Sequence, residues 1–265
     1  MAAASLACVI VLITPATRAT AQRLWDVFFA ERVEFVTLDV DKLPRSLTEQ
    51  NIRINGANTE VASIEEAASY VGFTPRLPDG ALVPQADGNP RFQVAGAISL
   101  ESRVKVDELE LAARHARLFD VHFPREWDGA QIAVHSSAIV TADYMTFQLL
   151  QVMPLVITTP PDFDLAAFTE RILRIGGLAP AEARAFSAQM TTAPFALCAI
   201  SPEEKVTMRK VQLRVGEGTL IHDMDEEGKL QRTTLVWNTP DRLYALSSYL
   251  SDDELIAIAN AVPQP

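Results

Sequence analysis

Leu230-Gln231-Arg232-Thr233-Thr234-Leu235-Val236-Trp237, then Arg242-Leu243-Tyr244-Ala245-Leu246-Ser247-Ser248, then Ser251-Asp252-Asp253-Glu254 read as strand, strand and helix start. The first two runs are short and rich in β-branched and aromatic residues, and turn residues separate them. Ser251 with Glu254 three positions later forms a capping box, in which hydroxyl and carboxylate satisfy orphan amides reciprocally. Behind it, Leu255, Ile256, Ile258, Ala259 and Val262 supply an apolar face. These residues predict a final helix over 251–262 that covers the sheet, with Val236, Leu246 or their neighbours beneath it.

Working outward, strands are expected over 195–200, 205–215 and 219–222, with Gly216-Glu217-Gly218 as a tight turn. Asp164 caps a helix running to residue 175, with Leu165, Phe168, Ile172 and Leu173 on one side and Gly176-Gly177 as its stop. Pro180 opens another helix, continued through residue 190. In the first half a strand over 33–40 leads into a polar connector over 41–60. Ser63 and Glu66 open a capped helix that Gly72 ends, and Pro75, Pro78 and Pro84 impose an extended passage. A strand over 91–99, a helix capped by the run Asp107–Glu110, a turn at Trp127-Asp128-Gly129 and strands over 131–135 and 138–142 follow. Residues 145–158 make two strands bent at Pro154. Helices set apart from runs of neighbouring strands imply an α+β fold with antiparallel sheets. Pro160-Pro161 marks a boundary, giving a leader with membrane-exit helix (1–30) and two α+β halves (31–158 and 159–265).

The leader sets the expected compartment. Residues 2–17 carry no charge, and Leu6, Val9, Ile10, Val11, Leu12 and Ile13 make their centre strongly apolar. Ala19-Thr20-Ala21 offers a small-x-small site of the kind a signal peptidase cleaves. No Lys or Arg precedes Arg18, and sixteen uncharged residues containing Pro15 fall short of the ~20 that a spanning helix needs. Signal peptide, membrane helix and buried core segment all remain open, with export or anchoring the expectation. Arg18 and Arg23, on the downstream side, argue against an anchored form facing outward.

The 265-residue chain carries a formal charge of −11 and has no basic tract. Nucleic acid is therefore not an expected partner, since its affinity comes largely from Lys and Arg on phosphates. Cys8 and Cys198 are the two cysteines, and Cys8 lies in the leader, so no disulfide framework or cysteine metal site is expected. Cys198 in Phe195-Ala196-Leu197-Cys198-Ala199-Ile200 reads as a small apolar side chain.

Catalytic machinery is hard to assemble from the rest. His115, His122, His135 and His222 show no HxxxH or HExxH spacing. His135-Ser136-Ser137 lacks the G-x-S-x-G surround of a nucleophile elbow. Gly216-Glu217-Gly218 lacks the strand-to-helix setting of a dinucleotide loop. Asp223-Met224-Asp225-Glu226-Glu227-Gly228 starts like a calcium loop, but the twelfth position, where a bidentate acid belongs, is Thr234. It reads as a hairpin turn with Gly228 near its tip. No catalytic residue, cofactor site or metal site is assigned, and an enzyme is not expected.

Three stretches together carry a resemblance. They are Ser63-Ile64-Glu65-Glu66-Ala67-Ala68 with Val71-Gly72-Phe73-Thr74-Pro75-Arg76-Leu77-Pro78; Pro160-Pro161-Asp162-Phe163-Asp164-Leu165 with Gly176-Gly177-Leu178-Ala179-Pro180; and Thr234-Leu235-Val236-Trp237 with Leu243-Tyr244-Ala245-Leu246 and the closing helix. The chain resembles uncharacterised bacterial extracytoplasmic domains carried behind one membrane helix, often in anti-sigma-factor-like proteins. The resemblance implies an outward-facing α+β domain or a lipoprotein-carrier-like half-barrel, and no catalytic residues. This sequence departs from the anti-sigma pattern in showing no cytoplasmic part with a zinc-binding His/Cys cluster ahead of the leader. Direct sigma-factor binding is therefore not expected, and a truncated or separately exported form is. The expected function is a non-catalytic sensor or interaction domain with a membrane or envelope protein partner. The alternative is a carrier binding a lipid or acyl chain in a concave apolar sheet. Calcium titration tests the hairpin reading: no stoichiometric heat signal is expected, and a high-affinity one overturns it.

Overall fold

The computed structural model describes residues 10–12, 33–48, 51–56, 58–80, 88–190, 196–200, 206–225 and 227–263. Its strands are β1 (Ile10–Leu12), β2 (Val33–Thr37), β3 (Asn51–Asn55), β4 (Thr59–Val61), β5 (Arg91–Ala95), β6 (Ala97–Arg103), β7 (Gln131–His135), β8 (Ile139–Asp143), β9 (Phe147–Val152), β10 (Val156–Thr158), β11 (Ala196–Ile200), β12 (Val206–Leu213), β13 (Gly216–Met224), β14 (Leu230–Thr239) and β15 (Arg242–Ser248). The helices are α1 (Arg45–Thr48, a single turn), α2 (Ile64–Val71), α3 (Val106–His115), α4 (Leu165–Ile175), α5 (Pro180–Met190) and α6 (Asp252–Ala261).

The molecule is built on one antiparallel sheet of eight strands, in the order β12-β13-β14-β15-β9-β8-β5-β4. Four strands come from each side of Pro160-Pro161, so the two expected halves share this sheet across the β15–β9 pairing, where Leu246 faces Leu149. All seven residues of β15 are buried. Leu243 and Ala245 join one apolar cluster with Val236, Leu150 and Val152. Tyr244 and Leu246 join another with Leu235, Trp237 and Leu149. A strand covered on both faces reads as continuous burial instead of alternation.

The layer against Tyr244 and Leu246 comes from α2, through Ala67 and Val71, and from α6, through Leu255, Ile258 and Ala259. Against the opposite face lie a second antiparallel sheet, β10-β7-β6-β3, and helices α3 and α4. Gly96 is where the chain passes from one sheet to the other. A Cβ there would meet the Asn55 carbonyl oxygen at 1.9 Å, so no larger residue fits this crossing. That is why the single strand expected over 91–99 is two strands in different sheets.

Helix starts follow the sequence signals with two changes of partner. The Ser251–Glu254 capping box is present in full. Ser63 Oγ accepts from the Glu66 amide, but the Glu66 carboxylate accepts from Ala62 N–H one position further out. Asp164 Oδ1 caps α4 through the Ala167 amide. At α3 the expected cap from the run Asp107–Glu110 is replaced by Asp128, whose Oδ1 accepts from Val106 N–H at 3.0 Å. The polar connector expected over 41–60 holds β3 and β4, because the alternation Asn-Ile-Arg-Ile-Asn of β3 has the strand period despite its polarity.

A third sheet, β1-β11-β2, is parallel throughout, unlike the antiparallel pairing expected. Its first strand is Ile10–Leu12, in the middle of the apolar leader, beside Leu197 to Ala199. The rest of the expected signal or membrane segment, and the whole of the membrane-exit helix, lie outside the described residues. Among the described residues no helix is long and apolar enough to cross a membrane.

Helix α6 packs on β12, β14 and β15 with Leu255 fully buried and Ile258 nearly so. Truncating such a residue to Ala costs ~2–5 kcal/mol. Leu255→Ala is therefore expected to lower the urea midpoint clearly, and Ile256→Ala, at a half-buried position, much less. Equal, small effects in denaturation curves would overturn the assignment of α6 as a structural cover.

Candidate functional site

A cluster of polar contacts forms where residues 73–78 cross the sheet. Gln151 of β9 is fully buried, and its side-chain amide both donates to the Arg76 carbonyl and accepts from the Arg76 N–H, each at 2.8 Å. One side chain thus provides the pair of bonds that a neighbouring strand would supply. The Arg76 guanidinium then reaches the β14–β15 turn, donating to both Asp241 oxygens at 3.1 and 2.7 Å and to the Tyr244 hydroxyl at 3.1 Å. Arg242 is 6 % exposed, donates to the Thr74 carbonyl at 2.7 Å and lies 4.5 Å over the Phe73 ring. Thr239 Oγ1 donates to Asp241 at 2.9 Å. Beneath this cluster the Tyr244 ring stacks on Trp237, 4.9 Å apart and 5° from parallel.

The electrostatics follow from that geometry. The hydrogen bond from Arg76 holds the Asp241 carboxyl below the usual carboxylate range, and the same bond raises Arg76. Burial pushes the Arg242 guanidinium down. Bidentate Arg–carboxylate geometry is directional and strong. Its terminal nitrogens are thereby engaged in fastening the segment across the sheet. In the sequence Arg76 and Arg242 stand only as members of longer runs, and no contact is expected there of Arg76, Gln151, Asp241 or Arg242. The available signal was Gln151 inside the apolar run 145–158 and Arg242 at the head of an apolar strand.

The histidines fall in separate places. His222 Nε2 lies 2.8 Å from Asp252 Oδ1, while Thr207 Oγ1 stands 3.4 Å from Nδ1. Arg209 holds the other Asp252 oxygen at 2.5 Å. Burial works to raise Asp252, but the bonds from Arg209 and His222 outweigh it and leave its pKa lowered. This Thr-His-Asp order has the form of a proton relay, yet its carboxylate sits in the first turn of α6 and ties that helix to β12 and β13. His135 Nδ1 lies 2.9 Å from Ser99 Oγ, and Ser136 Oγ accepts from the Ile98 amide at 2.9 Å. His122 stands 3.7 Å from Glu110, and His115 is exposed at the end of α3. Asp225 Oδ1 accepts from the amides of Glu227 and Lys229, and Gly228 takes φ 79°, so the chain turns here from β13, which ends with Asp223 and Met224, into β14. The turn expected at Gly216-Glu217-Gly218 falls at Arg214-Val215, with Gly216 opening β13. Among the described residues no group of three His, Cys, Asp or Glu side chains is placed to hold a metal ion.

Two surface features complete the inventory. A cleft of about 310 Å³ is lined by Lys210, Glu217, Thr219, Val236 and Asn238, with a Lys210–Glu217 ion pair of 2.9 Å. At the end of the sheet where β8 turns into β9, Met145 is 79 % exposed and Tyr249 82 % exposed. Ser248 Oγ donates to the Thr146 carbonyl at 2.8 Å, joining the two turns that carry them. No protein-family model, curated protein or solved structure matches the chain.

The Arg76–Asp241 bond links stability to pH. A carboxyl depressed in the folded state contributes stability present above its unfolded value, about 3.9, and lost as pH falls through its lower folded value. Asp241 is 42 % exposed, so screening keeps the effect modest. Asp241→Asn is expected to lower the urea midpoint at neutral pH, with the gap to the parent protein closing below the ordinary carboxylate range. A gap that does not change with pH would sink the coupling.

Proposed function

We propose that this chain is a non-catalytic interaction or sensing domain that works outside the cytoplasm behind its apolar leader, in a regulatory, anti-sigma-like setting. The observation that carries the reading is that the chain covers both faces of the central strands of its main sheet with its own side chains. What it offers outward is surface: the Arg76, Gln151 and His222 contacts hold segments of the fold together, while Met145 and Tyr249 stand in solvent. A domain closed on itself with exposed anchors acts by contact, and its partner is a membrane or envelope protein. The carrier alternative needs a concave apolar face open to an acyl chain. Over the central strands both faces are occupied, the cleft over β12 to β14 is lined largely by Lys210, Glu217, Thr219 and Asn238, and the helix that would serve as a lid has Leu255, Ile258 and Ala259 buried.

The placement outside the cytoplasm rests on the uncharged leader and its Ala19-Thr20-Ala21 site. Anchoring through the leader, or cleavage after Ala21, would each take Ile10–Leu12 away from β11 and leave β2 as that strand's remaining partner. Crosslinking on spheroplasts with an amine-reactive reagent that does not cross the inner membrane tests both parts. Lys105, Lys210 and Lys229 offer exposed amines, and a specific adduct to a second protein is expected. An adduct that forms only after lysis overturns the placement; no adduct under either condition overturns the interaction role.

A further inference from the structure

We propose that the end of the main sheet carrying Met145, Tyr249 and Leu230 is the docking surface of this domain, and that its partner presents apolar side chains framed by basic ones. The proposal rests on the interaction reading above and specifies its surface and partner chemistry.

Hairpin tips and strand-to-helix turns are usually polar, because Gly, Asn, Asp and Ser meet their backbone demands. Here the tip of the β8–β9 hairpin is Met145 and the turn into α6 begins with Tyr249, the two most exposed large apolar side chains among the described residues. Register brings them together. Phe147 pairs with Ser248, and Ser248 pairs with Thr233, so β14 runs past the same end of the sheet and carries Leu230, 46 % exposed.

The platform under them is rigid. The Tyr144 amide donates to the Phe147 carbonyl at 2.9 Å, closing the turn that displays Met145. The rings of Tyr144 and Phe147, both buried, stack 4.3 Å apart behind it. Anchors held in place before binding lose little freedom on association. Tyr and Met are both enriched at interfaces, Tyr with a polar tip and Met with an adaptable thioether.

Charge selects the occupant. Asp143, Asp223, Asp225, Glu227, Asp252, Asp253 and Glu254 lie at this end of the sheet against Arg91, Arg209, Lys229 and Arg232, an acidic excess in a chain of net charge −11. A second copy would set acid against acid, and an anionic membrane surface attracts basic segments, not acidic ones. A basic segment with apolar side chains matches both features, and charge complementarity gives specificity and a faster encounter.

The test uses the full chain and a fluorescein-labelled peptide alternating Lys and Leu, with a Glu/Leu peptide as control, read by anisotropy. The Lys/Leu peptide is expected to bind, more weakly as salt rises, and the control is not. Met145→Ser with Tyr249→Ser is expected to weaken binding by about tenfold or more. Both positions are exposed, so the unfolding midpoint should stay with the parent's. A second variant, Glu227→Gln with Asp253→Asn, is expected to keep the apolar contact but flatten the salt dependence. Equal binding by the Ser variant and the parent overturns the docking surface while leaving a crosslinked partner in cells intact. Absence of Lys/Leu binding, or equal binding of the Glu/Leu control, overturns the basic partner. Tyr249-dependent dimerisation, or co-sedimentation with phosphatidylcholine or phosphatidylglycerol vesicles, overturns it in favour of a second copy or a lipid surface.

Discussion

An antiparallel sheet commonly keeps one face in water; here the central strands of the eight-stranded sheet are covered on both faces. Every residue of β15 is buried, so the chain has to supply two layers. Helices α2 and α6 form one, while the four-stranded sheet with α3 and α4 forms the other. The order of the chain follows from this demand. Each side of Pro160-Pro161 contributes four strands to the shared sheet, and each contributes one of the helices on the α2–α6 face.

Covering both faces also buries polar groups; Thr233 Oγ1, Trp237 Nε1 and Arg242 Nε are left without a hydrogen-bond partner among the described residues, and the way the others are satisfied shapes what the molecule can do. Gln151 is sealed in the sheet and hands its amide to the backbone of Arg76. Thr234 and Ser247, opposite one another on β14 and β15, share a hydrogen bond of 3.0 Å. Arg242 finds a carbonyl and an aromatic ring. A buried polar group left unpaired costs about 1–3 kcal/mol, so each of these contacts is a condition of burial. The same economy accounts for His222 and Asp252, which secure α6 to the strands beneath it.

Much of this was legible in the sequence because it depends on local rules. The Ser251–Glu254 box, the Asp164 cap, Gly72 at φ 78° and the bend at Pro154 are each decided within a few residues, and each stands as expected. Burial of Leu255, Ile258 and Ala259 followed from helical spacing alone. Polarity misled where it concealed a strand period, as in Asn51–Asn55, and at α3 the cap came from Asp128, 22 residues from the amide it serves.

By themselves, then, the residues determined an α+β chain, its principal helices and hairpins, and an acidic net charge, because propensity, capping and net charge are properties of short segments or of composition. Only the tertiary structure decided that residues 91–103 divide between two sheets at Gly96, that Ile10–Leu12 lies beside Ala196–Ile200, that Arg76 meets Asp241, and that Met145 and Tyr249 share one end of the sheet. Those outcomes depend on which distant segments meet and in what register. Pairing of that kind leaves no mark within any single window of the chain.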